Sequence, residues 1–394
     1  MIYRCKNCGG ALEYSVEKDR MVCDYCKSEF RVSELSQDSD PESSQNNTKY
    51  KKYIKMQIVR CTACGAELAV NGVEASTFCA YCGQASVIRD RVDNVLKPDY
   101  IIPFKVTKEE AEGIIRKNLK KGFFVPKVIK NFEAEKIRGI YVPFWLFDIR
   151  YKDFQYWMYF LKKKRKDYSN VRFEYVEAEA FFKRLTLDAS YKFDDDSSVR
   201  LEPYDMGQLR EFDMAYLSGY YSDRYDMKED SVRKKALSRV REYFDELVQK
   251  GKKHKDGVKH KAWPVYRVTK TDYALLPAWF LTFKYDDKPY TILVNGQTGK
   301  MVGAVPAAKA KVYSMFLIAA SILFGIGMLV FPAITKFFLL GSKPEVRPLF
   351  FIAAFLVGFI NIAKSTYDKY KKSISLTTAR GINQYMKERQ DRYK

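Results

Sequence analysis

Histidine is nearly missing from this chain: only His254 and His260 occur in 394 residues, both in a lysine-rich stretch. That scarcity argues against a histidine general base and against a catalytic histidine-bound metal. Cysteine is equally confined, since all eight residues fall in two short blocks and none is left over as a thiol nucleophile. A phosphate-binding loop is also missing. The nearest approach, Asn295-Gly296-Gln297-Thr298-Gly299-Lys300, has too few residues between its glycines and is followed by Met301 instead of Ser or Thr, which removes the basis for an ATPase or helicase. The run Asp194-Asp195-Asp196 lacks the spacing of an EF-hand loop and reads as a loop or cap. Met1-Ile2-Tyr3-Arg4-Cys5 leaves no room for a secretion signal before the first cysteine, so disulfide pairing, which needs an oxidising compartment, is the lesser reading.

What is present is a repeated cysteine pattern: Cys5-x2-Cys8-x14-Cys23-x2-Cys26 and Cys61-x2-Cys64-x14-Cys79-x2-Cys82. A C-x-x-C knuckle turns two thiolates onto one ion, and two knuckles complete the tetrahedron of soft ligands that Zn²⁺ prefers. The intervening residues read as a hairpin; in the second block Glu67 to Val70 alternate and Asn71-Gly72 supplies a two-residue turn. Gly9, Gly65 and Gly83 follow the second cysteine of three knuckles, where a residue without Cβ lets the backbone curl toward sulfur, and Lys27 departs from that pattern. The reading is two zinc ribbons with two structural Zn²⁺ sites. A four-thiolate site is closed to water and substrate, so each metal serves folding and not catalysis.

The chain is strongly basic, with a formal net charge of +21. Eight thiolates add eight negative charges and two Zn²⁺ return four, which lowers the net charge to about +17. The densest runs, Lys162-Lys163-Lys164-Arg165-Lys166 and Lys250 to Lys261, lack interleaved aromatics and read as solvated loops. Residues 312–335 carry no charge, enough for a helix to cross about 30 Å of hydrocarbon. A second apolar run, Leu349 to Ala363, is shorter and flanked by Arg347 and Lys364. Neither has a charged residue at its centre, and Gly325, Gly327 and Gly358 suit close helix packing. Positive residues crowd the tail beyond Lys364 and the Lys309, Lys311 flank, so both chain ends are expected in the cytoplasm.

Between these parts, Thr107-Lys108-Glu109-Glu110 is a capping box that starts a helix through about Leu119, and 228–249 has the period of a second. Most of the rest reads as strands dense in Tyr and Phe. Val142 to Tyr151 and Leu276 to Tyr285 echo each other as apolar-Pro-x-Trp followed by alternation, which points to a duplicated unit whose tryptophans lie in the core.

The expected fold class is therefore multidomain. It comprises zinc ribbons at 1–32 and 56–90 joined by a flexible linker (33–55), and an α+β domain rich in antiparallel strands at 99–306. A C-terminal transmembrane helical hairpin is expected at 312–334 and 348–364, with a basic tail at 365–394.

The cysteine knuckles, Tyr100-Ile101-Ile102-Pro103-Phe104, Tyr141-Val142-Pro143-Phe144-Trp145-Leu146-Phe147, Leu276-Pro277-Ala278-Trp279 and the segment Val294 to Lys300 together resemble a family of bacterial zinc-ribbon membrane proteins, often labelled transcription-factor-IIB-type zinc-ribbon proteins. The second complete ribbon departs from the single one expected there. The resemblance implies a non-enzymatic, multi-pass adaptor in the cell membrane. Such an adaptor recruits phage-shock-protein-A-like or flotillin-like (SPFH) proteins of envelope-stress systems, or pairs with a companion membrane protein. The basic tail would meet anionic lipid headgroups. The alternative expectation is a membrane-tethered nucleic-acid binder that uses the ribbons and basic loops.

Overall fold

Apolar and aromatic residues dominate Ile137–Phe160 and Val258–Tyr285, the segments that carry the two Pro-x-Trp phrases, and each forms one long strand. The computed structural model describes residues 3–36, 53–62, 66–70, 79, 87–160, 171–190, 195–251, 257–285, 288–303, 305–308 and 310–318, with 321, 322, 325 and 364. Its first elements are β1 (Leu12–Ser15), β2 (Arg20–Cys23), β3 (Glu29–Phe30), α1 (Val32–Ser36), β4 (Tyr53–Cys61), β5 (Glu67–Val70) and β6 (Val87–Leu96). Then follow β7 (Tyr100–Ile101), α2 (Lys108–Lys121), α3 (Lys127–Lys130), β8 (Ile137–Phe160), β9 (Val171–Asp188), α4 (Asp195–Leu201), β10 (Arg210–Glu211) and β11 (Tyr221–Asp223). The series closes with α5 (Glu229–Gly251), β12 (Val258–Tyr285), β13 (Lys288–Asn295) and β14 (Met301–Gly303).

β1, β2 and β3 form a small sheet, and the other strands form one 11-stranded sheet in the order β10-β7-β12-β8-β11-β5-β4-β6, with β9 on β8, β13 on β12 and β14 on β13. β8 and β12 pair antiparallel over most of their length, and Val142 faces Leu276. The two echoing phrases thus lie on neighbouring strands and run in opposite directions about a pseudo-two-fold axis. Their surroundings repeat as well. β7 leads through Val106 to α2, β8 and β9, whereas β11 leads through Met227 to α5, β12 and β13. β7 runs parallel to β12 at Ala274 and Leu275, and β11 runs parallel to β8 at Ile140 and Tyr141. The Trp279 indole N–H donates to the Val106 carbonyl (2.9 Å) and the Trp145 indole N–H to the Met227 carbonyl (3.1 Å), at matching places.

This symmetry explains two prolines in central strands, where a missing N–H normally breaks the ladder. β8 pairs with β11 up to Tyr141 and with β9 from Phe144, so Pro143 falls in the handover. β12 pairs with β7 up to Leu275 and with β13 from Ala278, so Pro277 falls in the other. Their carbonyls still need donors, and the Ala189 and Gly296 amides supply them at 2.9 Å each.

The centre of the sheet is buried on both faces, which is why residues 140–147 and 273–281 read as unbroken apolar runs rather than alternation. One face carries Tyr141, Trp145 and Phe147 against α2 and α5; the other carries Val142, Phe144 and Leu146 with Tyr204 and Met206. α2 is capped by the reciprocal Thr107–Glu110 box and buries Ala111, Ile115 and Leu119. α5 buries Val232, Ala236, Val240, Tyr243, Phe244 and Val248.

The expected fold class needs correction in two respects. The second cysteine block is not a separate bead: β5 pairs with β11 and β4 with both β5 and β6, which builds the block into the large sheet. The chain is mostly sheet with a few helices. β4 starts inside the expected linker, whose residues 37–52 lie outside the described ones. The second correction concerns the membrane. Among the described residues no helix is long and apolar enough to cross one, so the transmembrane hairpin and the multi-pass cell-membrane placement with cytoplasmic ends are withdrawn. An uncharged run measures what a helix there could span, not whether one forms. The longest unbroken described helical stretch in the region, 310–318, covers roughly 13 Å against about 30 Å of hydrocarbon. The second apolar run and the basic tail, apart from Lys364, lie outside the described residues.

Gly139 tests the packing at the axis. A Cβ there would lie 2.6 Å from the Tyr220 ring and 3.1 Å from Trp279, and Tyr220 is itself stacked on Phe104 at 4.3 Å. Gly139→Ala should cost roughly 1–3 kcal/mol by overpacking. Gly113→Ala in α2, where a Cβ meets nothing within 4 Å, should add roughly 0.5–1 kcal/mol. Urea unfolding midpoints of the two variants should move in opposite directions.

Candidate metal centre

In the first ribbon, β1 and β2 pair from Leu12↔Cys23 to Ser15↔Arg20, and this short hairpin carries Cys23 back to the Cys5 knuckle. The two knuckles are built alike. In the first, the Cys5 N–H donates to the Gly10 carbonyl (2.7 Å) and the Gly9 N–H to the Cys5 carbonyl (2.8 Å). In the second, the Cys23 N–H donates to the Ser28 carbonyl (3.0 Å) and the Lys27 N–H to the Cys23 carbonyl (2.9 Å). Gly9 sits at φ 73° and Lys27 at φ 59°. Lys27 therefore takes the left-handed conformation that its position demands, although its side chain makes that unfavourable.

The sulfurs of Cys5, Cys8, Cys23 and Cys26 all lie within 4.8 Å of one another. The nearest pairs, Cys5–Cys26 at 3.5 Å and Cys8–Cys23 at 3.4 Å, are far too long for disulfides. They lie near the roughly 3.8 Å edge of a sulfur tetrahedron around an ion bound at about 2.3 Å. The four thiols thus fit a metal. Cys5 and Cys23 are buried, while Cys8 and Cys26 face outward. Around them, the Ser28 hydroxyl touches Cys26 Sγ at 3.1 Å and accepts from Asn7 Nδ2 at 2.8 Å, which ties one knuckle to the other. Gly10 is required here too: a Cβ on it would lie 2.7 Å from Tyr25 and 3.3 Å from Cys23 Sγ. The Gly9-Gly10 doublet was the sequence signal for it; Asn7 and Ser28 left none.

Ser28, through its hydroxyl and then its backbone, pulls the Cys26 thiol down to about 6. Cys8 moves the other way. The Gly10 backbone favours its thiolate, yet hydrogen bonds from Cys23 and Cys26 and desolvation push it up to about 12. A metal entering the cluster must therefore displace the Cys8 proton.

The ribbon is fastened to the body along its hairpin. Arg210 makes a bidentate pair with Asp19 at 2.8 and 2.6 Å, and Tyr14 donates to Asp19 at 2.5 Å. Tyr3 donates to Asp213 at 3.0 Å, and the Tyr14 and Tyr216 rings meet edge to face at 5.2 Å. Asp213 also caps the 3-10 turn Met214–Leu217. The Arg210 hydrogen bond holds the Asp19 carboxyl below its usual range. A depressed carboxylate contributes above its unfolded pKa of about 3.9, and that contribution is lost as pH falls through the folded value. Both partners are about half exposed, which keeps the pair within about 1 kcal/mol.

In the second block the Cys61 N–H donates to the Ala66 carbonyl at 2.8 Å, the closure seen at Cys5. Cys61 and Cys79 are both buried and share a small cluster with Ala66. Cys64, Cys82 and the Asn71-Gly72 turn lie outside the described residues.

No family model matches the chain, and no solved structure does. It is 28% identical over 332 residues to YdjG of Bacillus subtilis (strain 168), described as an uncharacterized protein. The alignment covers 80% of this chain and 92% of that protein.

Two outcomes follow for the metal. Lowering pH from about 7 to about 5 should release it, because protons compete for the thiolates; this loss should precede any break of the Asp19–Arg210 pair and is read by a colorimetric metal indicator. Lys27→Gly should leave metal retention intact and add up to about 1 kcal/mol of stability, whereas Gly9→Val should weaken retention in a chelator competition.

Proposed function

We propose that the protein is a non-enzymatic, zinc-dependent adaptor that grips other proteins. Zinc is the dication best suited to four thiolates: a closed tetrahedral sulfur set matches its preference and leaves no position for substrate. Cys5, Cys8, Cys23 and Cys26 hold one ion, and Cys61, Cys64, Cys79 and Cys82 a second.

The observation that carries this reading is how the first ribbon is presented. Its hairpin side is pinned through Asp19, Tyr14 and Tyr3, while its second knuckle leaves Tyr25 80% exposed between two metal ligands. An aromatic on a metal-stiffened turn loses little conformational freedom on binding and is a good anchor for a protein pocket. His260, the described histidine, lies on the surface against the Phe173 ring. The partners are those the resemblance implies, phage-shock-protein-A-like or SPFH-like proteins.

The test is binding of a purified phage-shock-protein-A-like or SPFH-like protein to the intact chain by biolayer interferometry. Tyr25→Ala should weaken it at least tenfold with zinc content unchanged. No binding by the intact chain to either class would overturn the assignment. Retention of single-stranded DNA or RNA that falls steeply with salt would put the nucleic-acid reading in its place.

A further inference from the structure

Beyond residue 148, β8 leaves the centre of the sheet as an arm between β9 and the first half of β12. One face of the arm is covered by α5: the Tyr151 ring meets Phe244 at 4.8 Å, Gln155 Nε2 donates to Asp245 at 2.8 Å, and Lys259 pairs with Asp245. The other face is bare among the described residues and rich in aromatics. Phe173, Tyr175 and Trp263 are each half exposed or more, and Tyr156 packs between Tyr175 (5.2 Å) and Trp263 (5.9 Å). Large aromatics left in water on a flat sheet mark an interface.

The charges on this face are sorted by strand. Cross-strand register places Glu177 beside Phe154 and Glu179 beside Lys152 in the β9 column, and Lys261 beside Tyr156 and Arg267 beside Arg150 in the β12 column. Glu177 is bridged to Lys152 at 2.6 Å. Glu179, Lys261 and Arg267 form no ion pair among the described residues.

From this pattern we infer that the bare face of the arm binds the same face of a second copy of the chain. Two sheets stacked about 10 Å apart around a two-fold axis parallel to the strands put β9 of one copy over β12 of the other. The acidic column of β9 then faces the basic column of β12 at both rims, Glu177 and Glu179 lying between the levels of Lys261 and Arg267, with the aromatics enclosed between. A two-fold axis across the strands would instead stack the acidic β9 column and the basic β12 column each on its own copy. With the axis parallel to the strands the like charges that meet are on β8, where Lys152 is bridged to Glu177 and Arg150 lies over the Phe181 ring, so the outer columns favour the parallel axis.

Sedimentation of the full chain at micromolar concentration measures the association. The intact protein should be a dimer. Glu177→Lys with Glu179→Lys should weaken dimerisation at least tenfold, as should Lys261→Glu with Arg267→Glu, each with unchanged circular dichroism. Mixing the two double variants should restore a one-to-one heterodimer by native mass spectrometry, a result that misfolded chains cannot give. A monomeric intact protein, double variants that dimerise like it, or a mixture without heterodimer would each overturn the inference. So would a monomer whose arm retains an oligonucleotide.

Discussion

The antiparallel pairing of β8 with β12 is the constraint on which the rest of the molecule depends. Every backbone N–H and C=O in a buried strand must find a partner, and this pair is long enough that no single neighbour serves either strand throughout. Each therefore changes partner midway, β8 from β11 to β9 and β12 from β7 to β13. The prolines occupy those changes, and the two tryptophans anchor the chain just ahead of α2 and α5 through indole bonds worth about 1 kcal/mol each. Two strand–helix–strand–strand units sharing one pseudo-two-fold axis are the simplest account of why the same solution appears twice.

The cysteine blocks attach to this body in different ways. The first keeps its own three-stranded sheet, too small to hold itself together without a metal. Its link to the body is polar and aromatic, through Asp19–Arg210 and Tyr14–Tyr216. The second has given its strands to the large sheet through β5 and β11. A metal held by its four sulfurs would thus be the main source of order in one block, while in the other β4 is held by ladders on both sides.

Local signals were legible in the sequence and long-range pairing was not. The Thr107–Glu110 box and the apolar period of α5 depend on residues within a turn or two of each other, and both elements lie where those signals put them. The Pro-x-Trp echo was visible because burial on both faces leaves an uninterrupted apolar run. The stretch from Arg89 to Asp99 has the polar composition of a connector, yet much of it is β6, the last strand in the sheet order. Edge strands carry charge to discourage further pairing, and here Arg91 and Asp93 meet Glu67 and Arg224. Composition alone cannot separate such a strand from a loop. The cysteine spacing brought four sulfurs together, but the residues that seat them (Lys27, Ser28, Gly10) depend on backbone angles and contacts that spacing does not encode. Of the uncharged run after 312, the longest unbroken described helical stretch, 310–318, is too short to cross a membrane.

If the β8–β12 pair stabilises the body independently of the metal that stabilises the first ribbon, the two should separate in amide hydrogen exchange followed by peptide mass spectrometry with and without a chelator. The account predicts that chelation strips protection from β1, β2 and β3 and loosens the 3-10 turn Met214–Leu217 beneath them, while β8 and β12 exchange as slowly as before. Loss of protection along β8 and β12 on chelation, or an unchanged first ribbon, would contradict it.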